Sequence, residues 1–219
     1  MVNPLQYLTD TIEFPPVDTA NEDGLLAAGG DLSVARLVHA YKSGIFPWFE
    51  DDRLPLWWSP DPRMVLFPSE LKVSKSMRKL LRDKAFTITK NTCFSKIIHE
   101  CATAPRDGQA GTWITKKMQN AYQELHDIGM AHSYEVWLDN VLVGGLYGID
   151  LGTVFCGESM FSKVSNASKY GFITMVQELA AQNYKLIDCQ VYNPHLESLG
   201  AREIGRDSFI SNLEGHNNP

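Results

Sequence analysis

The chain has 219 residues, 44% of them hydrophobic and 21% charged, enough for one substantial core or for a core with a smaller satellite domain. No apolar run reaches the roughly 20 residues that a membrane-spanning helix needs, and the N-terminus lacks a basic segment followed by an apolar one, so the expected setting is the cytoplasm, with no membrane partner. A net charge of −6 argues against a protein that coats nucleic acid with its whole surface. The cysteines, Cys93, Cys101, Cys156 and Cys189, include no C-x-x-C pair, so no zinc or other metal site is expected and all four are read as reduced.

Residues 1–62 are rich in Pro, Gly and aromatics and read as a small N-terminal domain. Ser33 can cap a helix whose apolar positions are Leu37, Ala40 and Tyr41 and which Gly44 stops. The rest of this part reads as turns and short extended pieces, and "SPDPR" at 59–63 as a linker into a larger domain over 63–219. "MVLFP" is then a short strand. The segment from Lys72 to Lys96 is strongly basic, and from Ser74 a helix would place Lys75, Arg78, Lys79 and Arg82 on one face. Such a face is either merely solvated or a phosphate-binding patch.

"FTITK" alternates as a strand, and Thr115 caps a helix with Met118, Ala121, Tyr122, Leu125 and Ile128 in one stripe. "HSYEVWL", "VLVGGLYGI" and "TVFCGESMF", separated by short turns, predict a three-stranded antiparallel meander. A helix over about 166–182 leads to "KLIDCQV", a strand that the connection allows to lie parallel to "TVFCGESMF". Glu158 and Asp188 would then face one cleft. An Asp inside such a strand costs several kcal/mol unless it is paired, so Asp188 either satisfies a turn or performs a task. Gln190, two residues on, would share its face.

This order of elements resembles the acyltransferase fold of the GCN5-related N-acetyltransferases, an α/β fold that binds coenzyme A where two strands splay. The equivalent turn here, "SKVSNASK", has no glycine, and a coenzyme A pyrophosphate is not expected. A more specific resemblance rests on "EDGLLAAGGDLS" (22–33), "YKSGIFPWF" (41–49), "LWWSPDPR" (56–63), "GTWIT" (111–115), "HSYEVW" (132–137), "FCGESMFS" (155–162), "NASK" (166–169) and "LIDCQV" (186–191). With these, the chain resembles the leucyl/phenylalanyl-tRNA-protein transferases. The chain ends at "NLEGHNNP", without the longer tail of some members.

The resemblance implies transfer of Leu or Phe, with Met as a further candidate donor, from aminoacyl-tRNA to the N-terminal α-amine of proteins beginning with Arg or Lys. An aminoacyl ester is already activated, so no cofactor or metal is expected, and the expected state is a monomer. Residues matching Asp188 and Gln190 would orient and polarise the amine; those matching Trp48 and Trp113 would sandwich the terminal adenine. Leu146, Phe155, Met160 and Ile187 would line the aminoacyl pocket, although each taken alone reads as core. Lys75, Arg78, Lys79 and Arg82 would follow tRNA phosphates. Glu158 would either pair with the acceptor's basic side chain or satisfy a backbone group. Trp57, Trp58 and Trp137 are read as structural, and His132 and His195 as ordinary polar residues. Two other functions share parts of this pattern: a peptidoglycan-type aminoacyl-tRNA-dependent ligase, and a non-catalytic module that binds RNA ends.

Overall fold

The computed structural model describes residues 4–105 and 112–214. Gly111 of "GTWIT" and the residues after Glu214 lie outside them. The N-terminal part holds more regular structure than its composition predicts. Strands β1 (Gln6–Leu8), β2 (Leu25–Gly29), β3 (Phe46–Pro47) and β4 (Leu56–Trp58) form a sheet in the order β1-β2-β4-β3. Strands of two to five residues are too short to display an alternating pattern, which is why the sequence reads as turns. Helix α1 (Val34–Lys42) is the expected one: the Ser33 hydroxyl accepts from the Arg36 N–H, satisfying one of the helix's unpaired donors. Gly44 then turns the chain at φ +74°, and a Cβ there would come within 2.4 Å of Ile210 Cδ1. Only glycine meets both demands.

The second sheet has seven strands in the order β11-β5-β10-β9-β8-β7-β6. Its centre is the expected meander of β7 (Ala131–Leu138), β8 (Val141–Asp150) and β9 (Val154–Ser162), antiparallel throughout. Strand β6 (Thr87–Lys90) pairs with β7 at one edge. Helix α5 (Ala167–Ala181) crosses over to β10 (Leu186–Gln190), which lies parallel to β9. Strand β5 (Arg63–Leu66) runs antiparallel to β10, and β11 (Arg202–Ile204) closes that edge. This is the acetyltransferase-like α/β arrangement that the order of elements implied.

"SPDPR" is no loose linker. Ser59 and Arg63 are fully buried, and Arg63 opens β5 inside the sheet. The prolines read as a linker; the chain instead makes a tight bend at the exposed Asp61 and Pro62 between two buried residues and enters the core at once.

Helices α2 (Lys75–Arg82), α3 (Phe94–Thr103), α4 (Lys116–Asp127), the short α6 (Pro194–Glu197) and α7 (Arg206–Glu214), with two short 3-10 turns at Val17–Thr19 and Pro68–Glu70, complete the described elements. Ser74 and Thr115 cap α2 and α4 as their positions predict, each accepting from the N–H three residues on. One continuous apolar cluster runs from Leu26 and Trp57 in the first sheet through Ile97 and Leu125 to Ile149 and Phe209. A second, containing Leu146, Phe155, Tyr170 and Ile187, fills the opposite face of the large sheet under α5 and α2. None of the four cysteines is in a disulfide. None of the described helices is long and apolar enough to cross a membrane.

Candidate active site

Strands β9 and β10 stay paired only as far as Cys156 and Asp188. Beyond that pair β9 continues along β8 to Ser162 while β10 ends at Gln190, and a cleft of about 420 Å³ opens between them. Its apolar side is Leu146, Met160, Phe172, Met175, Ile187 and Leu196; its polar side includes Glu158, Asp188 and Gln190. Trp48 and Trp113 line it from loops of the N-terminal part and of the segment before α4.

The cleft therefore gathers the residues singled out for the amine, the adenine and the aminoacyl group, with one exception. Phe155 does not line it. At that position β9 is still paired on both sides, to Ile187 and to Asp150, so the ring is buried behind the opening and supports the pocket from within the core. Phe172 and Met175 line the cleft in its place. The crossover from β9 to β10 lays α5 over the splay, and its sheet-facing residues follow at the i, i+3 spacing of a helix. That topology was the available signal for them.

Asp188 and Gln190 do not obey simple strand alternation. Gln190 has φ +65°, and the register of β10 on β5 slips between the two residues. The bulge re-aims both side chains. Asp188, fully buried, accepts from Arg63 Nε at 2.8 Å and Nη2 at 2.7 Å, and from the Gln190 backbone N–H at 2.9 Å. Arg63 is equally buried, donates to the Gly44 carbonyl at 3.2 Å, and lies between the rings of Phe46 and Phe209 at 4.7 and 4.5 Å. Burial opposes the guanidinium charge, but the charge and hydrogen bonds of Asp188 outweigh it and hold the Arg63 pKa above its ordinary value. A bidentate fork whose third nitrogen also has an acceptor is the geometry in which a buried ion pair repays its desolvation.

Gln190 turns away from this pair and donates Nε2–H to Glu158 Oε1 at 2.8 Å. Glu158 Oε2 accepts from the Tyr122 hydroxyl at 2.9 Å, and Tyr122 shares a short hydrogen bond with the Tyr41 hydroxyl. Glu158 thus satisfies side chains, not a backbone group. Burial pushes its pKa up from 4.5 to about 7, against the hydrogen bonds from Tyr41, Tyr122 and Gln190, with the Asp188 charge adding to the rise. Burial also raises both tyrosines well above their usual range, so they stay protonated donors. Arg63, Tyr41 and Tyr122 hold these two carboxylates and were not singled out in the sequence. Arg63 alone carried a hint: a lone cation opening the apolar run "MVLF" needs an anion.

Trp48 is 39% exposed at the cleft and tied down by its backbone, with its N–H donating to Leu56 and its carbonyl accepting from Trp58 Nε1 at 2.7 Å. Trp113 is half-buried, next to the Thr115 cap whose hydroxyl also bonds Asp52. Lys75, Arg78, Lys79 and Arg82 are exposed on α2, which packs by Met77 against the α5 side; Lys79 and Arg82 both reach Asp83. His132 and His195 are not among the cleft residues. Among the described residues, no cluster of three or more His, Cys, Asp or Glu could hold a metal ion.

The model of the leucyl/phenylalanyl-tRNA protein transferase family matches residues 65–214, and that of the family's N-terminal domain matches 30–61. The chain belongs to this family. A leucyl/phenylalanyl-tRNA–protein transferase of Flavobacterium johnsoniae is 61% identical over 210 residues, 96% of this chain and 99% of that one. The protein of the same name from Pseudomonas aeruginosa is 55% identical over 213 residues, 96% of this chain and 94% of its own. Among solved structures, FemX aligns over 66% of this chain and 60% of its own with a TM-score of 0.51 at 12% identity, a likeness of fold alone. Family membership makes the protein an aminoacyltransferase.

Proposed function

We propose that the protein transfers leucine or phenylalanine from charged tRNA to the N-terminal α-amine of proteins that begin with Arg or Lys, marking them for degradation in the cytoplasm. The observation that carries this reading is the cleft at the β9/β10 splay, where an apolar side, a polar side and two tryptophans meet. An aminoacyl ester is already activated, so the site has only to bring the ester and a neutral amine together. Leu146, Met160, Phe172, Met175 and Ile187 offer an apolar slot in which two methionines can adapt to a branched or a planar side chain. Trp48 and Trp113 hold the terminal adenine, each stack worth roughly 1–3 kcal/mol.

With Nε2 committed to Glu158, the amide oxygen of Gln190 is the acceptor it offers to an incoming amine. Asp188 fixes that residue through its backbone N–H. The Glu158 carboxylate supplies negative charge for the acceptor's basic terminus. The cations of α2 follow acceptor-stem phosphates without reading sequence.

The test is transfer from Leu-, Phe- and Met-charged tRNA to peptides beginning with Arg, Lys or Ala. Product on the Arg and Lys peptides, and not on the Ala peptide, is expected. Turnover only with a cell-wall precursor, or tRNA binding without turnover, would overturn the reading.

A further inference from the structure

Two carboxylates face the cleft, and their surroundings assign them different work. Asp188 receives three hydrogen bonds, two of them from a cation that is itself buried and sandwiched between rings. Taking a proton would break that pair and strand the guanidinium. Among the described residues no cation is bonded to Glu158: its oxygens accept from the Gln190 amide and from tyrosine hydroxyls, and 8% of the residue remains exposed, toward the cleft. The charged or titratable groups around it are Tyr41 on α1, Tyr122 on α4, Asp188 on β10, Tyr147 on β8, and Cys156 and Arg63 nearby on β9 and β5.

We propose that Glu158 takes the proton from the acceptor's α-ammonium, while Asp188 stays a fixed anion that Arg63 holds in place. This deepens the transfer reading and rests on it. One N–H proton passes to a Glu158 oxygen, and the freed electron pair forms the C–N bond to the aminoacyl carbonyl carbon. The bond from that carbon to the terminal ribose oxygen breaks, and the second proton leaves nitrogen for that oxygen. Glu158 then returns its proton to solvent. A carboxyl poised about 7 suits this exchange with an α-amine of roughly 7.7–8.0. Gln190, bonded to Glu158, presents the amine to it, and the Tyr122–Tyr41 pair sets the carboxylate's proton affinity.

The experiment is the pH dependence of kcat/KM for an Arg-starting peptide in wild type, Glu158→Gln, Tyr122→Phe and Asp188→Asn, with folding of each followed by circular dichroism. Because about a tenth of the amine is neutral at pH 7, Glu158→Gln should lose on the order of tenfold there and recover as the pH passes about 8. Tyr122→Phe removes a hydrogen bond that favours the charged carboxylate, so the acid limb should move to higher pH with the alkaline rate retained. Asp188→Asn should lose rate equally at every pH. No product from the wild type sinks the transfer reading itself. Product with a Glu158→Gln loss that is the same at all pH, or with an unmoved limb in folded Tyr122→Phe, sinks this proposal and leaves transfer standing. So does an Asp188→Asn variant that high pH rescues.

Discussion

The side of the cleft built on β5, β10 and α7 and the side built on β9, α1 and α4 each bury a carboxylate, and they stabilise it by opposite means. Around Asp188 a guanidinium supplies full positive charge to both carboxylate oxygens, and two aromatic faces shield that guanidinium. Around Glu158 the donors are neutral, burial is nearly as deep, and the proton affinity rises to about 7. The difference is one of cost and use. A paired charge is a structural anchor; a charge held only by dipoles is kept near the point of protonation, which destabilises the fold and makes the group available for chemistry.

The largest expected effect breaks the anchored side. Asp188→Asn or Arg63→Met leaves an unpaired buried charge or a mismatched donor set, and should cost about 3–5 kcal/mol in urea unfolding. The pair Arg63→Met with Asp188→Leu removes both charges and should recover much of that loss. If the double variant is no more stable than either single one, the ion pair is not what makes them costly.

The hydrogen-bonded side should behave in reverse. With its folded pKa raised from 4.5 to about 7, Glu158 is protonated in the native state and ionised in the unfolded chain between those values. The raised pKa therefore contributes stability that is full below about pH 4.5 and lost as the pH climbs through 7. The wild type should lose on the order of 3 kcal/mol across that window from this group. Glu158→Gln should flatten the slope and be the more stable protein at pH 8. A wild type whose melting temperature holds constant from pH 5 to 8, after correction for other groups, contradicts this account.

A substitution on the apolar side separates the proposed aminoacyl pocket from both carboxylates. Met160→Ala should cost about 1–2 kcal/mol or less, since Met160 is only half-buried, and lower transfer of Leu and Phe while tRNA affinity stays within twofold. Its pH profile should overlay that of the wild type. A shifted limb would mean that the two sides of the cleft are coupled through the β9 backbone.

What was legible in the sequence follows from how each feature is encoded. The meander, the crossover helix and the capped helices repeat a pattern over eight or more residues, and the caps at Ser33, Ser74 and Thr115 are chemically specific. Helix α3 went unread because it opens at Cys93 with no side-chain cap. The first sheet is built from strands too brief to alternate. In the cleft, Asp188 and Glu158 stood out because a carboxylate in an apolar strand demands an explanation. Their partners did not: Tyr41 and Tyr122 sit in ordinary apolar stripes, and Arg63 follows a Pro-Asp-Pro that reads as a linker. The left-handed turn at Gln190 has no local signal, since nothing in an amide side chain requires it.

Charges in water complete the contrast, with the smallest effect on the fold. Arg78 and Lys79 are exposed on α2, and Lys79 spends its charge on Asp83 in a surface i,i+4 pair. Such pairs contribute at most about 1 kcal/mol, because solvent screens them and the long side chains lose entropy when held. Arg78→Ala with Lys79→Ala should therefore change stability by about 0.5 kcal/mol or less, against several for the buried pair. What should change is the salt dependence of charged-tRNA binding. Each phosphate contact releases counterions, so losing two contacts should lower the slope of log K against log salt by roughly 1.4–1.8. The loss should be alike for every tRNA, because phosphates carry no sequence. Asp188→Asn, by contrast, should leave the slope untouched while the fold weakens. An unchanged slope in the α2 variant would make this face a solvated surface, and the tRNA track would have to lie elsewhere around Trp48 and Trp113.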